Sequence, residues 1–214
     1  MLLGDERELV VRYAQRLRPD GLVVGTAGNL SIRVGQLVAI TPSSVDYDDL
    51  VPEAICVLDL GGAVVEAELP ASSEVPMHLA AYRSCGATAV VHTHAPYATA
   101  LSTVVDELPP IHYMLAELGG PVKVAPYATF GSAQLAENVR RALEGRNAAL
   151  LANHGTLAVG DSLGRAYDRT VLLEWLSALY FRARLLGQPR LLALEEIDRV
   201  ATRLQPPARL RRAS

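Results

Sequence analysis

The sequence predicts a single α/β domain, with a central mixed, largely antiparallel β-sheet covered by helices. Three observations lead there. The 214 residues suffice for one domain with a substantial core, and half of them are hydrophobic against a fifth charged. Short alternating or apolar stretches are interleaved with helical periodicities, and several of the stretches pair across tight turns. No repeat or low-complexity linker divides the chain, so one domain is expected over residues 1–214, with about 205–214 as a flexible tail. Hairpins among the strands argue against a purely parallel, doubly wound sheet.

A first helix is predicted over residues 5–18, with Leu9, Val10, Tyr13, Ala14 and Leu17 on one face and charges on the other. Pro19-Asp20-Gly21 stops it. Residues 30–33 alternate as a strand and pair with 37–41 across Gly35-Gln36. Residues 55–60 and 64–67 form a second hairpin about Gly61-Gly62. Ser72-Ser73-Glu74 opens a helix running to about residue 84, the serines suiting the N-cap and the glutamate the positive end of the dipole. Residues 87–92 form the central strand, and Ala95-Pro96 starts the helix that follows. Residues 109–118 are expected to be helical, stopped by Gly119-Gly120-Pro121. A strand over 122–125, a helix over 132–143 and a strand over 149–152 come next. After Asn153-His154-Gly155 follow a strand over 156–159, the longest helix over 162–186, and a short helix over 194–204.

Composition excludes several functions. The net charge is −3 and the pI near 6.0, so no basic face supports nucleic-acid binding. The apolar runs fall short of the roughly 18 residues of a spanning helix, and the acidic N-terminus is not a signal peptide. A cytoplasmic protein without a membrane partner is expected. Cys56 and Cys85 form neither a disulfide framework nor a Cys-x-x-Cys zinc site. Lys123 is the single lysine, and it sits in an alternating stretch that suits a solvent-facing strand position, so imine chemistry has little to work with.

The chemistry-bearing stretch is Val91-His92-Thr93-His94. Residues two apart in a strand point the same way, so His92 and His94 project together with Thr93 opposite. Two such imidazoles start a divalent metal site, or are core histidines satisfied by hydrogen bonds. His154, at a second strand end and followed by glycine, completes a three-imidazole set of the kind that leaves an open position on the metal. Glu74 is the acid/base candidate and a fourth ligand displaced by substrate, or else a glutamate complementing the helix dipole. His78 lies four residues after Glu74 and is expected to be exposed or at the core edge; nothing local requires a role for His112. Three polar turns, 25–29, 41–44 and 72–73, offer hydroxyls and N–H groups that bind phosphate without lysine, provided the fold brings them together. Neither a P-loop, a dinucleotide fingerprint nor a Gly-x-Ser-x-Gly elbow is present.

As an ordered set these stretches resemble the class II aldolase/adducin family, and within it the bacterial L-fuculose-1-phosphate aldolases. Gly25-Thr26-Ala27-Gly28-Asn29, Thr41-Pro42-Ser43, Ala71-Ser72-Ser73-Glu74, His92-Thr93-His94, Ile111-His112-Tyr113, Tyr127-Ala128-Thr129-Phe130-Gly131 and His154-Gly155 carry the likeness. It implies a Zn2+ enzyme, with Co, Mn or Fe also accepted by such ligands. It implies a homotetramer with active sites between subunits. Zinc would be held by His92, His94 and His154 with Glu74 as the resting fourth ligand. The phosphate of a sugar substrate would sit against Gly28, Asn29, Ser43, Ser44, Ser72 and Ser73. Thr26 and Phe130 would line the pocket, and Tyr113 and Phe130 match positions that reach the site from a neighbouring subunit. The implied reaction cleaves a ketose 1-phosphate, similar to L-fuculose 1-phosphate, to dihydroxyacetone phosphate and an aldehyde through a metal-stabilised enediolate. Glu74 would carry the proton at carbon, and Tyr113 the one at the C4 hydroxyl. A sugar-phosphate 4-epimerase, a methylthioribulose-phosphate dehydratase and a non-enzymatic adducin-like domain are the alternatives within the family. Three departures stand out: Ser44 where glycine is usual, Asn153 where histidine or glutamine is common, and no aromatic residue after Phe181 to close over the substrate.

Overall fold

Period-two alternation along the strands sorts the apolar residues of this chain into two cores, one on each face of a single sheet. The computed structural model describes residues 1–204; the tail expected over 205–214 lies outside them. The strands are β1 (Asn29–Val34), β2 (Leu37–Ile40), β3 (Cys56–Asp59), β4 (Val64–Glu66), β5 (Ala89–Thr93), β6 (Glu107–Leu108), β7 (Val122–Ala125), β8 (Ala148–Leu151) and β9 (Gly155–Gly160). They join in the order β4-β3-β2-β1-β5-β9-β8-β7-β6. Every neighbouring pair is antiparallel except β7 and β8, which makes the sheet mixed, as the hairpins predict.

The helices are α1 (Gly4–Ala14), α2 (Val75–Cys85), α3 (Pro96–Ser102), α4 (Ala133–Ala142), α5 (Leu163–Leu186) and α6 (Leu194–Leu204). On one face Leu30, Ile32, Ala89, Val91 and Ala158 pack with α1, α3, α5 and α6. On the other, Val90, Leu151, Leu157 and Val159 pack with α2 and α4 through Met77, Leu79, Leu135 and Val139. Each fully buried aliphatic side chain contributes about 1.5–3 kcal/mol relative to exposure, and together they offset a strip of buried polar groups. That strip follows from the same alternation. Leu30 and Ile32 face one core, so Asn29 and Ser31 of β1 turn toward α2. Val90 faces α2, so His92 does too. Asn29 and His92 are register partners across β1 and β5.

Several expectations are corrected. The helix predicted over 109–118 is instead a 3-10 turn from Tyr113 to Leu118, preceded by the short strand β6. Pro109 and Pro110 disfavour helical backbone at the residues before them, and the Ile111 N–H closes a tight turn onto the Pro109 carbonyl, so no helix starts there. Helix α1 ends at Ala14, with turns beyond it, and its Arg7 is buried rather than on the charged face. The guanidinium bonds to the Leu2 carbonyl and to Glu66 Oε1, 2.7 Å away, so its charge has partners inside. Helix α2 begins at Val75, and the residue before it is Glu74, not a serine; Ser72 Oγ instead accepts from the Glu74 N–H. Lys123 is exposed on β7, as expected.

Two contacts set where the His92–His94 strand ends. Glu174 of α5 accepts hydrogen bonds from the backbone N–H groups of Tyr97 and Ala98, which fixes the first turn of α3. Gly155, opening β9, lies against the end of β5. A Cβ there would meet the Thr93 carbonyl oxygen at 2.2 Å and His94 Cδ2 at 3.1 Å. Gly155→Ala is therefore expected to cost at least the roughly 1–3 kcal/mol of an overpacked site. Chemical denaturation measures this, and a wild-type midpoint would contradict the contact.

Candidate metal centre

Four side chains from three places in the sequence converge beneath the start of α2. Glu74 precedes the helix, His92 and His94 lie at and just past the end of β5, and His154 sits in the turn between β8 and β9. Their ligand atoms all lie within 4.8 Å of one another. The three imidazole rings form a nearly equilateral set with centroids 4.8–5.0 Å apart, each pair edge to face. Glu74 and His92 are buried, and His94 and His154 partly so.

Proton bookkeeping shows what this cluster needs. His92 Nδ1 lies 2.7 Å from the Thr156 carbonyl oxygen, which can only accept, so Nδ1 carries the proton. In the neutral ring Nε2 is then bare. It nevertheless points at Glu74 Oε2, 2.9 Å away, and at His94 Nε2, 3.1 Å away. Glu74 Oε1 is 3.2 Å from His154 Nε2 yet makes no aligned hydrogen bond. Lone pairs face lone pairs unless a positive charge lies among them. A proton serves poorly for four groups; a divalent cation serves all of them. The donor set fits such a cation, with the backbone carbonyl orienting one ligand from behind.

The electrostatics agree. Burial opposes the charge on Glu74, but positive charge at His92 and the polar contacts with His154, His92 and Asn29 hold its carboxyl far below the usual range, so the carboxylate is stable where a cation sits among these groups. Burial, with His92 and His154 beside it, pushes His94 down to about 4. His78 is wholly buried, not exposed or at the core edge as expected, and burial pushes it down to about 3. It bonds Asn29 Oδ1 through Nε2 and Ser31 Oγ through Nδ1, and Asn29 Nδ2 donates to Glu74 Oε2.

The three polar turns do meet. Ser43 N–H donates to the Pro70 carbonyl and Ser72 N–H to the Thr41 carbonyl, drawing residues 41–44 against 70–73. Gly28 has φ +86°, and a Cβ on it would reach within 2.7 Å of the His92 carbonyl oxygen, which brings the first turn onto β5. The buried Tyr47, which the sequence did not single out, holds that turn by donating to the Ala27 and Gly28 carbonyls. Together they surround a cavity of about 320 Å³ that Glu74, His94 and His154 also line. Thr26, Gly28, Asn29, Ser43, Ser44, Ser72, Ser73 and Phe130 all reach it, as do Tyr127 and Asn153. Among the described residues, its lining contains neither lysine nor arginine. Tyr113 does not line it; that ring is half exposed and stacks on His112. Two departures noted in the sequence have a backbone reading. Ser44 and Asn153 both have positive φ, 60° and 54°, where glycine is easiest and asparagine is tolerated.

Because His94 and His78 resist protonation in the folded protein, acid should unfold the metal-free form. The unfolded chain takes up these protons near 6.5, the folded one only near 4 and 3. Between those values the unfolded state binds more protons, so stability falls as pH drops. The depressed Glu74 carboxyl acts in the same sense below about 4.5. The melting temperature of metal-free protein is expected to decline steadily from pH 6.5 to 4; a flat profile would contradict this.

Comparison with known proteins accords with the geometry. Residues 8–181 match the Class II Aldolase and Adducin N-terminal domain. A 5-deoxy-D-ribulose 1-phosphate aldolase of Bacillus thuringiensis serovar kurstaki is 39% identical over 208 residues, 96% of this chain and 98% of its own. An L-fuculose phosphate aldolase of Escherichia coli K12 is 42% identical over 171 residues, 79% of each chain. A solved structure of an L-fuculose 1-phosphate aldolase superposes with a TM-score of 0.92 at 40% identity, covering 95% of this chain and 97% of that one.

Proposed function

The chain belongs to the class II aldolase and adducin family, and on that premise we propose that it is a metal-dependent aldolase cleaving a ketose 1-phosphate to dihydroxyacetone phosphate and a small aldehyde. The observation that carries this reading is the Glu74–His92–His94–His154 cluster, two of its members buried and two partly so, at the wall of a cavity lined by hydroxyls and turn amides. Zinc is the metal proposed, held by the three imidazoles with Glu74 as fourth ligand.

When bound, the metal supplies a Lewis acid to the ketone and its neighbouring hydroxyl. The chain does the rest. Ser43, Ser44, Ser72, Ser73 and Gly28 hold the phosphate through hydroxyl and backbone N–H donors, as hydrogen-bonding turns do without cationic side chains. The Asn29 carboxamide is committed to Glu74 and His78, so its share in phosphate binding falls to the main chain. As the C3–C4 bond breaks, the C4 hydroxyl loses its proton to a base and the bonding pair remains on the C2–C3 enediolate. Glu74, displaced by the bound sugar and protonated from solvent, then delivers a proton to C3, giving dihydroxyacetone phosphate, while the proton taken from the C4 hydroxyl returns to solvent; Glu74 removes the C3 proton in the reverse direction. Tyr113 is the proposed base at the C4 hydroxyl, contributed by a neighbouring subunit of a homotetramer. Its exposure here, beside the exposed Trp175 that meets His112 edge to face, supports a surface that a second copy covers.

We read the sugar as a deoxyketose 1-phosphate with a methyl-ended aldehyde half. The relative named for 5-deoxy-D-ribulose 1-phosphate aligns over nearly the whole chain, including the part after Phe181 that lacks aromatic residues. Cleavage of that sugar between C3 and C4 yields acetaldehyde, which needs no bulky residue to enclose it. L-fuculose 1-phosphate is the second substrate to try.

The zinc-loaded protein is expected to release dihydroxyacetone phosphate from 5-deoxyribulose 1-phosphate, and less efficiently from L-fuculose 1-phosphate, in a coupled assay. No release from any ketose 1-phosphate would overturn the aldolase reading. His92→Ala should lose both stoichiometric metal and turnover. Glu74→Gln should retain dihydroxyacetone phosphate binding while kcat drops by about 10²- to 10⁴-fold, the scale of a lost general acid–base group. Near-normal kcat in Glu74→Gln would remove its assigned role.

A further inference from the structure

Behind the metal cluster runs a line of buried polar groups that the reaction itself does not use. Tyr82 OH lies 2.5 Å from Ser31 Oγ, and Ser31 Oγ lies 2.7 Å from His78 Nδ1. His78 Nε2 contacts Asn29 Oδ1, and Asn29 Nδ2 lies 3.0 Å from Glu74 Oε2. Ser31 and His78 are fully buried, Tyr82 is 2% exposed and Asn29 4%. Tyr82 and His78 lie on α2, while Ser31 and Asn29 lie on β1, so the line crosses three times between helix and sheet before it reaches Glu74.

Its direction is fixed from the Glu74 end. A carboxylate only accepts, so the amide nitrogen of Asn29 must face it. The amide oxygen then faces His78, whose Nε2 must carry the proton. A neutral imidazole protonated at Nε2 presents a bare Nδ1, so Ser31 donates its hydroxyl proton there. The remaining lone pair on Ser31 accepts from Tyr82. Each group has one arrangement that satisfies it, and no water is needed. Rotating the Asn29 amide would break two bonds at once and leave buried groups unpaired.

We infer that His78 is a positioning residue for Glu74: through Asn29 it fixes the rotation of the carboxylate, holding Oε2 against the amide and leaving Oε1 against His154. A glutamate has free rotation about its last side-chain bond, and a proton carrier must present one oxygen to one carbon. The buried line supplies that constraint from behind. The inference rests on Glu74 being the proton carrier, as proposed above.

The test is proton exchange at C3 of dihydroxyacetone phosphate in deuterium oxide, followed by NMR and normalised to bound zinc. His78→Phe keeps the ring and removes both nitrogens. It is expected to bind zinc stoichiometrically and to lower the exchange kcat by about 10- to 100-fold, the usual effect of losing an outer partner of a metal ligand. KM for dihydroxyacetone phosphate should change far less than kcat. His78→Gln, whose amide N–H can still donate to Asn29, should recover part of the rate. Ser31→Ala deletes one oxygen from the interior and should lower kcat in the same direction by less; it carries the test if His78→Phe does not fold. A role confined to stability would lower the melting temperature of these variants and leave exchange per bound zinc unchanged, which would overturn the inference. If the unmodified zinc protein itself fails to exchange, the reading of Glu74 as proton carrier falls first, and the positioning role with it.

Discussion

Four lone-pair-bearing groups crowded into one partly dry corner are the constraint on which this structure depends. A buried polar atom without a partner costs about 1–3 kcal/mol, and here His92 Nε2 faces His94 Nε2 and Glu74 Oε2 while His154 Nε2 faces Glu74 Oε1. The fold does not relieve the crowding; it enforces it. The Thr156 carbonyl holds His92 from one side, the Asn29 amide holds Glu74 from another, and Gly155 lets β9 close onto the end of β5. Such a corner persists because the two aliphatic cores stabilise the sheet that carries it. The arrangement makes chemical sense once a divalent cation is placed among the ligands.

The same economy appears in the cavity beside it. The phosphate pocket proposed there has no lysine or arginine among its described lining residues, so it would rely on oriented dipoles, and dipoles help only if the backbone is held still. Tyr47 pins the Gly28 turn, and the main-chain bonds between residues 41–44 and 70–73 pin the serine turns. Ser44 holds a left-handed conformation to complete the curve. Local backbone cost at that serine is therefore tied to the shape of the pocket rather than to the stability of the fold.

Much of this was legible in the sequence, for identifiable reasons. His92 and His94 share a face because strand side chains alternate, and that rule needs no tertiary information. The sheet strands 30–33, 37–41 and 122–125 were readable for the same reason. What the sequence concealed depends on which elements pack together. Nothing in the apolar stretch around His78 marks a polar partner for it; the partners, Asn29 and Ser31, come from β1, which packs beneath the helix. Arg7 looked exposed because its partner Glu66 is distant in sequence. The apolar spacing over 113–118 suits a helix and a 3-10 turn alike, and the prolines before it disfavour the longer element. Tyr47 carried no signal at all, since its role is to two carbonyls that the sequence does not mark.

The account stands or falls on the cation. Crystals of the zinc-loaded protein, measured at wavelengths on either side of the zinc absorption edge, locate the metal directly. A single anomalous peak bonded by Nε2 of His92, His94 and His154 is the predicted result. A peak elsewhere, ligation of His92 through Nδ1, or no peak in crystals of catalytically active protein would contradict it.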